Sequence, residues 1–213
     1  MKYYPIFMDI RGKKCVIVGG GEVAARKAGR LIDCGADVFV ISPRLSPELA
    51  ELEKKDLICH IPAEYTGHFI NDAALVIGAT DDEETNARIS DDACTQGIPV
   101  NIVDDPKKCS FILPALVKRG SLTIAIGTGG KSPALARHLR QELENKYSKE
   151  YEILLNILGD LRGKMVKKAG VGKDWFTSLM TEGILDYIKN KDVEKVKEIV
   201  KEITGEEVEV ELD

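Results

Sequence analysis

"KKCVIVGGGEVAARKAGRL", Lys13 to Leu31, decides how this chain is read. Cys15, Val16, Ile17 and Val18 make a short, largely β-branched run that stops at Gly19, as a buried strand does, and from Val23 the apolar residues take helical spacing. The expected order is strand, glycine turn, helix. Gly19-x-Gly21-x-x-Ala24 fits the dinucleotide fingerprint. In that pattern one glycine permits the tight turn, the next lets backbone approach a pyrophosphate, and a small third residue lets helix pack on strand. The anion sits on unpaired N–H groups of the helix N-terminus. A glycine-rich turn of this kind also occurs in α/β folds that bind nothing there, so the rest of the chain has to be weighed with it.

With 213 residues, 44% of them hydrophobic, the chain can bury a real core, as one domain with an appendage or as two small domains. A net charge of -5 argues against non-specific nucleic-acid binding, which draws on a basic surface, so an anionic ligand must meet a local basic patch. Cys15, Cys34, Cys59, Cys94 and Cys109 include no Cys-x-x-Cys pair and read as reduced, buried thiols. No basic leader precedes an apolar stretch, and no run approaches the roughly 20 apolar residues of a membrane span; a cytoplasmic protein is expected.

The first half alternates strand and helix: Lys14 to Val18, a helix through Asp33, Asp37 to Ile41, helical Pro47 to Lys55, Leu57 to Ile61, Ala74 to Ala79, a polar helix from Asp82 through Gln96, and Pro99 to Val103. That pattern predicts an α/β fold, a Rossmann-type doubly wound parallel sheet. Next, "SFILPALVKRGSLTIAIGTGG" supplies two apolar runs around Lys118-Arg119-Gly120, which suggests paired strands. Helical spacing follows over Pro133 to Tyr147, Tyr151 to Val166, Trp175 to Lys189 and Val193 to Ile203, with breaks at Gly170, Gly172 and Asn190. The expected domains are a nucleotide-binding domain over 1–109, a small α+β segment over 110–147, and a C-terminal helical domain over 148–213.

An NAD site usually has Asp or Glu at the end of the second strand to hold the ribose hydroxyls. This chain has Ile41-Ser42-Pro43-Arg44 there. Ser42 and the backbone near Pro43 then have to make those contacts, and Arg44 leaves NADP open. Ala79 and Thr80 end a strand on the ligand side, with Asn86 in the following helix. The small Gly78 and Ala79 suit either a close cofactor or helix packing.

The stretches "YYPIFMDIRGKKCVIVGGGEVAARKAGRLIDCGADVFVISP", "GATDDEETNARISDDA" and "VNIVDDPKKCSFILPALVKRGSLTIAIGTGGKSPALARHLRQELE" resemble the siroheme synthase N-terminal family, the precorrin-2 dehydrogenases, over roughly Tyr4 to Glu144. The resemblance implies NAD-dependent oxidation of precorrin-2 to sirohydrochlorin, with some members also inserting ferrous iron. It also implies a homodimer, with residues 110–147 as its dimerisation segment. Carried over, the glycine loop falls on Gly19, Gly20 and Gly21, with cofactor contacts on Glu22, Val23, Pro43 and Arg44; Ser42 and Thr80 complete the expected cofactor-binding set. The family's aspartate, in an Asn-x-Val-Asp stretch before Ser-Phe, matches Asp104, the expected catalytic residue, with Asp105 beside it. A serine preceding Gly-Gly in some relatives is Thr128 here, which keeps the hydroxyl.

Dehydrogenating a macrocycle removes a hydride and a proton, so a carboxylate such as Asp104 can serve as base. A tetrapyrrole bearing many carboxylates needs cations and N–H donors, and Lys118, Arg119, Lys131 and Arg137 cluster in sequence around Thr128-Gly129-Gly130. Thr128, Gly129, Gly130, Lys131 and Arg137 are the expected substrate-binding residues. His60, His68 and His138 share no metal-ligand spacing, so no resident metal is expected. Three readings remain: an NAD-dependent dehydrogenase, a dehydrogenase that is also a ferrochelatase, and a non-catalytic NAD-sensing regulator using the charged C-terminal helix as a partner surface.

Overall fold

The computed structural model describes residues 2–165 and 174–210, and the chain divides into two compact units, Met1–Leu113 and Pro114–Asp213. In the first unit β1 (Lys14–Val18), α1 (Glu22–Asp33), β2 (Asp37–Ile41), α2 (Pro47–Lys54), β3 (Cys59–Ile61), β4 (Leu75–Gly78), α3 (Glu83–Thr95) and β5 (Val100–Ile102) follow in turn. The sheet order is β3-β2-β1-β4-β5 and every pairing is parallel. This is the doubly wound arrangement expected from the alternating pattern. The topological switch falls between β1 and β4, and ligands of such sheets bind outside the carboxyl ends of the strands at that point.

β1 is a continuous apolar run because both its faces are covered: Cys15, Val16, Ile17 and Val18 are all buried. Cys15 and Ile17 pack with Ala24, Ala28 and Leu31 of α1 and Leu49 of α2, whereas Val16 and Val18 pack on the opposite face with Ile89 and Ala93 of α3. The 4- and 3-residue steps between Ala24, Ala28 and Leu31 put them on one stripe of α1. α2 starts on Ser46, whose hydroxyl accepts from Leu49 N, with Pro47 in the first turn; α3 starts on Asp82, whose carboxylate accepts from Glu84 N and Thr85 N.

In the second unit β6 (Ala115–Arg119) and β7 (Leu122–Ile126) form an antiparallel hairpin, followed by α4 (Pro133–Lys146), α5 (Glu150–Met165), α6 (Asp174–Thr181), α7 (Ile184–Lys189) and α8 (Val193–Thr204). Leu154, Ile157 and Leu161 of α5 pack with Ile184 and Ile188 of α7 and Val196, Ile199 and Val200 of α8. No helix among the described residues is long and apolar enough to cross a membrane.

Several elements differ from expectation. β3 begins at Cys59 rather than Leu57, because Asp56 takes a left-handed turn with φ +54° and leaves Leu57 exposed. The helix expected over Trp175 to Lys189 is two helices, broken where Gly183 adopts φ +70°. The run beginning at Phe111 enters its strand only at Ala115, since Phe111 is held in the first unit by Asn101, which donates to its carbonyl at 3.0 Å. The breaks expected at Gly170 and Gly172 lie outside the described residues. The cysteines were expected to be buried; Cys15 is, but Cys34, Cys59 and Cys94 are exposed and Cys109 is half-buried. Cys34 follows the end of α1 and Cys94 lies on the outer face of α3, so an apolar neighbourhood in sequence did not place them inside.

Candidate functional site

The carboxyl ends of β1, β2, β4 and β5 frame one crevice. Gly19 leaves β1 with φ +121°, and a Cβ on it would lie 2.2 Å from the Ala79 carbonyl oxygen. A Cβ on Gly20 would lie 1.8 Å from the Arg44 carbonyl oxygen, whose own segment is tied back by Ser46 N donating to Gly20 O at 2.7 Å. These two glycines let the three loops pack backbone against backbone. Gly21 differs: a Cβ there would meet nothing within 4 Å, and it caps α1 without any side-chain acceptor. The first N–H groups of α1 therefore face open space at the positive end of a helix dipole. Backbone donors beside a bare glycine fit a dinucleotide pyrophosphate.

Two adjoining clefts open here. The first, of about 530 Å³, is lined by Gly19, Gly20, Gly21, Glu22, Val23, Ser42, Pro43 and Thr80, and by Ala63, Glu64 and Tyr65 from the loop after β3. The second is lined by Asn86, Ile102 and Val103 and by Asp104, Asp105 and Lys108 alike, and it shares Val23, Ala79, Thr80 and Asp81 with the first. The expected cofactor residues thus gather around one cleft, except that the exposed Arg44 contributes its backbone to the wall and not its side chain to the lining. Ser42 is buried, and its hydroxyl donates to Arg44 O at 2.7 Å. Asn86 donates to Thr80 O at 2.9 Å and meets the Thr80 hydroxyl at 3.1 Å, holding the end of β4 in place. Gly78 serves packing, because a Cβ there would press on Ile102 Cδ1 at 2.6 Å and Asn86 Oδ1 at 3.2 Å.

Asp104 and Asp105 part company after β5. Asp105 accepts from Lys107 N at 3.1 Å and pairs with Lys108 at 2.9 Å; the Lys108 ammonium holds its carboxyl below the usual range. Asp104 sits in a left-handed conformation, φ +62°, where the chain turns so that Asp105 N donates to Ile102 O. Its carboxylate makes no hydrogen bond or ion pair with any described residue. Lys27 of α1, whose ammonium is made less basic first by burial and then by Arg30 and Arg26, feels an opposing pull from Asp104. The thiol of Cys109 pins the turn, bonding Ile102 O and Asp105 O at 3.2 Å each and accepting from Ile102 N; burial pushes that thiol up. The sequence placed Asn86 in the helix behind the ligand-side strand end and Cys109 among the buried thiols, but no spacing motif gave either the holding role it has here.

The expected substrate residues belong to the second unit. Thr128 donates its hydroxyl to Ser132 O at 3.1 Å, and Gly129 and Gly130 turn with φ +62° and +81° ahead of α4, leaving Lys131 and Arg137 exposed. Arg119 is withdrawn from the basic group, because its guanidinium donates to Lys118 O and Glu144 O. His60 is engaged with Ser42 O and Glu53, His68 with Thr66, and His138 with Glu142.

Residues 6–115 match the family model described as "Putative NAD(P)-binding", which is half of the chain, and residues 119–146 match the "Sirohaem biosynthesis protein central" model. The chain belongs to this NAD(P)-binding family. With the second match directly behind the first, the resemblance to the siroheme synthase N-terminal family stands. The siroheme synthase of Tolumonas auensis is 42% identical over 172 residues, covering 80% of this chain and 36% of that protein. The siroheme synthase of Mannheimia succiniciproducens is 34% identical over 200 residues, covering 92% of this chain and 42% of that protein. The chain therefore spans well under half the length of these curated relatives. The solved structure of SirC, precorrin-2 dehydrogenase, superposes with a TM-score of 0.74 at 25% identity, covering 96% of this chain and all of that one.

Proposed function

We propose that the chain is a precorrin-2 dehydrogenase, oxidising precorrin-2 to sirohydrochlorin with NAD as acceptor in the cytoplasm. The observation that carries this reading is Asp104, a carboxylate with no hydrogen bond or ion pair among the described residues, in the cleft that continues from the glycine loop through Val23, Ala79 and Thr80. When bound, NAD supplies the hydride acceptor. Gly19, Gly20 and Gly21, with the N–H groups of Glu22 and Val23, hold the pyrophosphate, and the backbone of Ser42, Pro43 and Arg44 bounds the ribose. Thr80, fixed by Asn86, lines the passage between the two clefts. Asp104 accepts the proton that leaves the macrocycle as the hydride departs, and Asp105, already engaged by Lys108, does not replace it. Thr128, Gly129, Gly130, Lys131 and Arg137 hold the substrate's carboxylates by charge and by turn N–H groups. The test is NADH formation by the purified chain from precorrin-2 under anaerobic conditions; no turnover would reject the dehydrogenase and favour the NAD-sensing regulator.

The cofactor placement has its own test. Gly21→Asp puts a negative side chain into the open space where the pyrophosphate belongs, while φ -86° at this position suits any residue. NAD binding by titration calorimetry is expected to be lost with the melting temperature retained; unchanged affinity would reject the placement.

The homodimer rests on what the second unit leaves uncovered. Val117 is the one buried residue of β6 and β7, no residue of α4 is buried, and Leu116 and Leu135 are exposed at 38% and 48%. A 14-residue helix that buries no residue fully, even where it lies against β6 and β7, is in want of a partner. Residues 110–147 are accordingly the proposed dimerisation segment, with 148–213 the helical domain behind it. Sedimentation at micromolar concentration is expected to give a dimer that Leu135→Glu weakens; a monomeric unmutated chain would defeat the assignment.

A further inference from the structure

We infer that Glu64 takes the place of the missing second-strand acid and makes the first cleft selective for a nucleotide with a free ribose 2′-hydroxyl over one with a 2′-phosphate. This rests on the cofactor reading above and adds to it the residue that discriminates. β2 is followed by Ser42, whose hydroxyl donates to Arg44 O and accepts from Arg44 N, so the strand end offers a ribose no carboxylate and only an engaged hydroxyl. β3 is the neighbour of β2, and the loop after β3 brings Glu64 to the same cleft as Ser42 and Pro43. Of the other carboxylates lining that cleft, Asp82 is consumed by Glu84 N, Thr85 N and the Thr85 hydroxyl, and Glu22 opens α1. Asp81 follows β4, on the far side of β1 from β2. Glu64 alone among them stands on the β2 and β3 side, and its carboxylate has no partner among the described residues.

The loop carrying Glu64 is held firmly. Tyr65 is buried and donates its hydroxyl to Asp92 of α3 at 2.9 Å, while Arg88 lies over the Tyr65 ring and donates to its carbonyl. Burial, aided by Asp92, keeps the phenol protonated and hence a donor. Ala63 N closes a tight turn onto Ile61 O at 2.8 Å. Glu64 is thus anchored on both sides along the backbone, so that only its side chain has to be ordered at binding. An ionised carboxylate accepts from a ribose hydroxyl and repels a phosphate ester at the same position.

Titration of the full chain with NAD and with NADP tests this. The unmutated chain is expected to prefer NAD by about tenfold or more, and Glu64→Gln to shrink that preference by about tenfold, chiefly through a gain in NADP affinity. Tyr65→Phe, which unties the loop from Asp92, is expected to shrink it in the same direction by a smaller factor. A preference unchanged in Glu64→Gln, or an unmutated chain that favours NADP, would overturn the role of Glu64 while leaving dinucleotide binding intact. Failure of the unmutated chain to bind either nucleotide would overturn the cofactor reading and the role of Glu64 with it.

Discussion

Asp104→Ala is expected to lower the rate of sirohydrochlorin formation by at least the ~10²-fold typical of losing a general acid or base, with NAD affinity and assembly state unchanged. Asp105→Ala is expected to do much less, because that carboxylate is occupied by Lys107 N and Lys108. A second variant separates chemistry from backbone. Alanine at φ +62° also strains the turn, whereas Asn tolerates the left-handed region at least as well as Asp does, so Asp104→Asn should lose the rate with little loss of stability. Full dehydrogenase activity in Asp104→Asn would remove Asp104 from the proposed mechanism.

Gly20→Ala is expected to have a large structural effect for a single added methyl, through overlap alone and without a strained φ. Its Cβ would stand 1.8 Å from the Arg44 carbonyl oxygen and 2.5 Å from the Ser42 hydroxyl, so backbone has to move against backbone. Overpacking of this kind costs about 3 kcal/mol or more, which for a unit of this size lowers the melting temperature by on the order of 10 °C and deforms the loop that holds the nucleotide. Gly21→Ala, with nothing within 4 Å of its Cβ, is the internal control for thermal stability. Equal melting curves for Gly20→Ala and the unmutated chain, read by calorimetry, would show that the close approach of the two loops is not a constraint.

The first unit was legible because its signals are local. β1 and β2 fall at the expected residues, and α1, α2 and α3 within one or two of them, since apolar runs, glycine turns and the caps Ser46 and Asp82 act over a few positions. The family match extends that legibility to the glycine loop. What could not be read depends on which partner each polar group takes once the chain has folded. The Ser42 hydroxyl looked free for a ribose until Arg44 folded back on it. Arg119 counted as a cation for the substrate until Glu144, 25 residues away, took its guanidinium. Asp104 and Asp105 adjoin in sequence, where the resemblance alone singled out Asp104, and the turn engages Asp105 with Lys108. Glu64 carries no motif, because its approach to the glycine loop comes from β3 lying beside β2.

The left-handed turn at Asp104 also bears on how such a chain can change over evolutionary time. Asn and Gly are the other residues at ease with φ +62°, and each is a single-base change from an aspartate codon. Either replacement keeps the turn, the Cys109 clasp and the glycine-loop cleft, and deletes only the carboxylate. The backbone at this position therefore leaves a short genetic route from the proposed dehydrogenase to a nucleotide-binding protein of the same shape. In a descendant with Asn or Gly here, retention of the turn would record inheritance of the scaffold and nothing about inheritance of the reaction.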